Sequence, residues 1–98
     1  MMDNEKYSSY DESTVTQVQE CFLYIGGVKL SRSTTIKRMK EIDSNIKKEN
    51  GKYVLSDNKL WQFFNYNYPE VIKNSKIKNM QELKNNAQLY VLNLNINS

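Results

Sequence analysis

Two short stretches of this chain hold the side chains best suited to chemistry, and in both it is the chemistry of holding a polyanion. Ser31, Arg32, Ser33, Thr34 and Thr35 bring hydroxyls and a guanidinium together, and Lys37 and Arg38 follow. A guanidinium bonds a guanine edge bidentately, and a threonine methyl fits against the thymine methyl. Free amides at a helix N-terminus suit phosphate oxygens. Lys47, Lys48, Asn50, Gly51 and Lys52 form the second stretch. There, ammonium groups flank a tip small enough to enter a minor groove or lie along a phosphate strand. Lys37, Arg38 and Lys40 are expected on backbone phosphates, which position a protein without specifying sequence. Glu41 interrupts this face; it either accepts from a cytosine amine or pairs with Lys37 four residues back, and the pair is the expectation.

Other chemistries lack their parts. The chain has no His, so it has no Ser-His-Asp or Cys-His nucleophile and no His metal ligand. One cysteine, Cys21, cannot build a zinc site. Neither phosphate-loop nor dinucleotide-binding spacing occurs. Asp11-Glu12 and Glu41-Asp43 fall at a helix start and a helix end. No catalytic residue, metal or cofactor is expected. No apolar run approaches the ~20 residues of a membrane span, and the polar, acidic start MMDNEKYSSYDES does not resemble a signal peptide. A lone cysteine suits a reducing compartment, so a cytoplasmic protein is expected, with Cys21 in the core.

The elements that must position these residues follow from period and punctuation. Residues 1–12 carry no period and are expected to form a flexible acidic arm, leaving residues 13–98 as one domain. Ser13 or Asp11 caps a first helix with Val15, Val18, Phe22 and Ile25 on one face, although TVTQV partly alternates and a strand opening before the helix stays open. Gly26-Gly27 ends that helix. Ser31 or Ser33 caps a second helix, whose stripe is Ile36, Met39 and Ile42. Asn50-Gly51 between polar-apolar runs is a strong hairpin signal and pairs Glu49 with Lys52, Lys48 with Tyr53 and Ile46 with Leu55. Tyr53 either stacks on Trp61 or packs into the core. Ser56 or Asp57 caps a third helix with Leu60, Trp61 and Phe64 inward, which Pro69 ends. One further short helix is expected around residues 76–86. Residues 87–96, AQLYVLNLNI, alternate and are expected to form a C-terminal strand that joins the hairpin sheet or pairs with a second copy.

The formal charge of +3 is unevenly spread. Residues 1–28 hold five acids against Lys6, while residues 29–52 hold eight bases against Glu41, Asp43 and Glu49. The positive excess thus lies on the second helix and hairpin, where a DNA-binding protein needs it. Double-stranded DNA is the expected partner, and a homodimer is expected, with the C-terminal strand as its candidate interface.

LSRSTTIKRMKEI followed by IKKENGKYVLSDNKLWQFF resembles the compact winged helix-turn-helix of excisionase and MerR-type DNA-binding modules. The resemblance covers roughly residues 20–66. It implies an α+β fold with a small helical core and a β-hairpin wing, with Ser31, Arg32, Ser33, Thr34, Lys37, Arg38, Lys48 and Lys52 at DNA-facing positions. The long turn after Gly27, the acidic arm and the final strand depart from the family pattern. The Asn-, Lys-, Ile- and Tyr-rich composition resembles that of AT-rich bacterial plasmid or phage genes. A narrower similarity is to the winged relaxosome accessory proteins of clostridial conjugative plasmids, which implies binding to repeats at an origin of transfer. Excisionase and transcriptional regulator are the alternatives within DNA binding, and a protein-interaction module of a mobile element is the alternative outside it.

Overall fold

Thr14 sits where a strand hands over to a helix, and its side chain settles the junction. In the computed structural model, which describes residues 11–97, β1 (Glu12–Thr14) leads directly into α1 (Val15–Gly26). The Thr14 hydroxyl accepts from the Gln17 amide at 3.2 Å, and the Gln17 side chain accepts from the Thr14 amide at 2.9 Å. This reciprocal capping box replaces the expected Ser13 or Asp11 cap. Of the arm expected over residues 1–12, the first ten lie outside the described residues. At the far end of α1, Gly27 adopts φ +67°. Its amide bonds the Leu23 carbonyl and the Val28 amide bonds the Phe22 carbonyl, the paired closure that a left-handed residue permits.

Ser31 caps α2 (Arg32–Ile42), accepting from the Thr34 amide at 3.2 Å. Met39 is fully buried, with Ile36 and Ile42 packed half-buried beside it. An Asp43 turn, in which the Asn45 amide donates to the Asp43 carboxylate at 3.0 Å, leads to the hairpin β2 (Lys48–Glu49) and β3 (Lys52–Ser56). Asn50 and Gly51 both take positive φ, 53° and 78°, as a type I′ turn requires. The ladder pairs Glu49 with Lys52 and Lys48 with Tyr53 and goes no further. The expected Ile46–Leu55 pair is absent because the Ile46 amide is drawn back to the Asp43 carbonyl, while Leu55 pairs with Ser13 on the other edge. β3 is therefore central in an antiparallel sheet of order β1-β3-β2.

α3 (Asp57–Asn67) buries Leu60 and Phe64, with Trp61 half-buried beside them. Tyr68 breaks the helical path and Pro69 opens α4 (Pro69–Asn74), as proline suits a first helical position. The last element corrects the sequence expectation. Residues 87–96 are not a strand; they belong to α5 (Met80–Asn97), one continuous helix. Met80, Leu83 and Ala87 are buried at i, i+3 and i+7, and Val91 continues that stripe. A run in which most positions are apolar satisfies a period of 2 and of 3.6 alike. With Asn79 capping Glu82 at 2.9 Å and no Gly or Pro between, an established helix propagates at one bond per residue.

Beneath the sheet lies a polar cluster that the sequence did not announce. Lys84, 4% exposed, holds the Asp57 carboxylate at 2.7 Å and the Glu12 carbonyl at 3.1 Å. Ser13 donates to the other Asp57 oxygen at 2.5 Å. β1, α3 and α5 are thereby joined by one fully bonded ion pair. Cys21 is buried in α1, as expected. Burial, with the neighbouring Glu20 second, pushes its thiol up to about 12.

Candidate nucleic-acid interface

The exposed face of α2 is built by its own period. At about 100° per residue, Met39 and Thr35 define the inward side, and Ser33, Lys37, Lys40 and Glu41 fall opposite. Arg32 and Lys40 lie toward the hairpin edge of this face, and Thr34 and Arg38 toward the other. Among the described residues, Arg32, Lys37 and Lys40 have no carboxylate partner. Arg38 does: it bonds Glu41 at 3.1 Å, both side chains about half-exposed or more. The expected Lys37–Glu41 pair is thus replaced by an i,i+3 pair. Exposed pairs contribute about 0–1 kcal/mol, so Arg38 can exchange Glu41 for a phosphate at little cost.

The hydroxyls at the helix start are less free than their sequence suggests. Ser31 is occupied as the cap and also donates to the Thr34 hydroxyl at 3.0 Å. Ser33 is exposed beside it. Thr35 is fully buried, its hydroxyl donating to the Ser31 carbonyl at 2.7 Å. Thr35 therefore leaves the set of contact residues: it lies behind the helix and packs α2 onto the core.

The hairpin meets α2 along one groove of about 250 Å³, lined by Thr14, Thr16, Arg32, Lys52 and Tyr53. Arg32 comes from the first turn of α2, and Lys52 and Tyr53 from β3, so the two basic stretches share a wall. Tyr53 packs half-buried against the core rather than stacking on Trp61, and Lys40 stands 5.3 Å above its ring. Directly paired residues share a sheet face, so Lys48 lies on the Tyr53 side and Glu49 on the Lys52 side. Lys47, Lys48, Asn50, Gly51 and Lys52 are all exposed. At the other end of α2, Lys59 of α3 holds Asp43 at 3.5 Å, which offsets the acid that follows the helix.

Sequence reading omitted Thr14 and Thr16, which line the groove only because β1 lies beside β3. Lys84 is buried and takes no part in this surface. Among the described residues no cluster of carboxylates, Cys or His is arranged to hold a metal ion, and no helix is long and apolar enough to cross a membrane. No family model matches the chain, and neither a curated protein nor a solved structure matches it.

Proposed function

We propose that this chain is a non-enzymatic, sequence-specific double-stranded DNA-binding protein of winged helix-turn-helix type. α2 is the reading helix and the β2–β3 hairpin the wing. The observation that carries this reading is the shared groove, in which Arg32 at the start of α2 faces Lys52 and Tyr53 of the hairpin. Helix and hairpin can then engage neighbouring phosphates of one duplex together. The strand order β1-β3-β2 around two preceding helices supports the same reading. So does the absence, among the described residues, of carboxylate partners for Arg32, Lys37 and Lys40.

Arg32 and Ser33 are the base-edge candidates, because they project from the exposed first turn. Lys37, Arg38, Lys40, Lys48 and Lys52 hold phosphates. Within this class, the narrower similarity to winged relaxosome accessory proteins favours an accessory factor that binds repeats at an origin of conjugative transfer, with excisionase and transcriptional regulator as its competitors.

Fluorescence anisotropy with a labelled duplex across a salt series tests the assignment. About five phosphate contacts give a slope of log affinity against log salt near −4.5. Lys48→Ala and Lys52→Ala each make that slope shallower by about one, and Arg32→Ala weakens binding by about 1–3 kcal/mol with relaxed sequence preference. Unchanged affinity and slope in all three variants would remove this face from DNA binding.

A further inference from the structure

Two helices of this domain end in the same hydrogen-bonded closure, with different residues at its left-handed position. At the end of α1, the Val28 amide bonds the Phe22 carbonyl at 3.4 Å and the Gly27 amide bonds the Leu23 carbonyl at 3.0 Å. At the end of α4, the Ile77 amide bonds the Ile72 carbonyl at 3.3 Å and the Lys76 amide bonds the Lys73 carbonyl at 3.1 Å. Ile72 and Ile77 are both buried, at the two positions whose apolar contact accompanies such a closure. The left-handed place is held by Gly27 in the first case, at φ +67°, and by Lys76 in the second, at φ +58°. A β-carbon is disfavoured there, which makes glycine the usual occupant. Lysine lacks the short polar side chain that lets asparagine offset the strain locally.

Lys76 is one of a group. Residues 73–79 hold Lys73, Lys76 and Lys78 and no acid. All three lysines are exposed, and among the described residues none makes an ion pair. The next carboxylate along the chain, Glu82, accepts from the Lys78 amide at 2.8 Å at the start of α5. Lys78 precedes that helix start, where the dipole of α5 disfavours a cation. Two of the three lysines thus stand where local structure opposes them. Strain held in this way marks a position with another use. None of the three lines the groove of Arg32 and Lys52.

We propose that the α4–α5 loop is a second phosphate-binding surface, which holds the backbone of duplex DNA through Lys73, Lys76 and Lys78 without reading its bases. The choice of partner rests on the DNA-binding reading above; the loop itself is outside the α2–hairpin face. Lysine ammonium groups are point charges that suit phosphate oxygens, and the exposed Asn74 and Ser75 add uncharged donors for phosphate and sugar. A lipid surface would call for apolar side chains beside the cations, and here Ile72 and Ile77 are 5% and 6% exposed. Buried on either side of Lys76, they anchor the loop and hold its ammonium groups outward from a fixed backbone.

Fluorescence anisotropy of the full chain across a salt series tests the loop, with a labelled duplex of about 30 base pairs that outreaches the 37 Å long axis of the domain. Three phosphate contacts beyond those of the α2–hairpin face take the slope of log affinity against log salt to about −7, and the chain with Lys73→Gln, Lys76→Gln and Lys78→Gln keeps about −4.5. Lys76→Gln and Lys76→Gly alone each make the slope shallower by about one. Of these two only Lys76→Gly relieves the backbone, so it binds more weakly and yet melts about 4 °C higher. Arg32→Ala is measured beside them. A response to Arg32→Ala with none to the loop substitutions overturns the loop and leaves the α2–hairpin reading standing; the reverse overturns that reading and supports the loop. No binding of duplex by the unaltered chain overturns both. Loop-dependent binding to phosphatidylserine vesicles without loop-dependent binding to DNA would assign the lysines to a lipid surface and overturn the proposal, as would a Lys76→Gly chain that melts no higher.

Discussion

Replacing Lys84 by Met separates a buried ion pair from an ordinary core contact. The Lys84 side chain is 3% exposed, and its ammonium supplies two bonds, to Asp57 at 2.7 Å and to the Glu12 carbonyl at 3.1 Å. Met nearly preserves the aliphatic volume, so the loss is electrostatic rather than a cavity. It strands the Asp57 carboxylate, 12% exposed, with the Ser13 hydroxyl as its remaining side-chain partner. Breaking one side of such a pair costs about 3–5 kcal/mol, a large part of the ~5–15 kcal/mol that holds a domain of this size. Asp57→Asn added to Lys84→Met removes the stranded charge and still gives Ser13 an acceptor, so the double variant regains about 2 kcal/mol. Urea unfolding followed by circular dichroism, at one fixed protein concentration, reads both values. With a slope of about 1 kcal/mol/M, Lys84→Met lowers the midpoint by about 3–5 M. A loss below 1 kcal/mol, or a double variant whose loss equals the sum of the singles, would refute the view that this pair locks β1, α3 and α5 together.

Gly27→Ala should lose about 1–2 kcal/mol in thermal unfolding, because φ is +67° and nothing within 4 Å would touch the new Cβ. Gly27→Asn should lose less, and equal losses would contradict a purely backbone cause. Thr35→Val should lose about 1 kcal/mol with DNA affinity unchanged, since its hydroxyl bonds the Ser31 carbonyl inside the fold. A fall in affinity at unchanged fold would return Thr35 to the interface. Cys21 gives a pH dependence. The unfolded chain releases its thiol proton from about pH 9, whereas the folded chain holds it until about 12. Stability is therefore complete below pH 9 and falls by about 1.4 kcal/mol per unit between 9 and 12. Cys21→Ala should flatten that part of the pH profile, and an unaltered slope would contradict the burial.

Local signals were legible where one residue type has one physical use. Asn50-Gly51 specified a two-residue turn and with it the register of Glu49–Lys52 and Lys48–Tyr53, while Ser31 and Gly27 marked a helix start and a helix end. The C-terminal helix was not legible, because the apolar run over residues 87–96 fits either period and the decision rests on Ala87 and Tyr90 packing against α1, with the Tyr90 ring 5.4 Å from that of Tyr24. Lys84 reads as one more surface lysine until Asp57 and Glu12 are brought to it across more than 20 residues of chain. At the candidate site, the cations were legible by type and position. The burial of Thr35 and the shift of Glu41 from Lys37 to Arg38 were not, because each depends on one helical turn of phase or on rotamer choice.

Selection of random duplex DNA on the purified full chain, carried out at a low and a higher salt concentration, tests the central claim most directly. The expected result is an enriched motif that persists at the higher salt, read through Arg32 and Ser33 and lost in Arg32→Ala. Recovery of random sequence that vanishes as salt rises, or no recovery at either salt, would contradict it and reduce the shared face of α2 and the hairpin to a solvated basic patch.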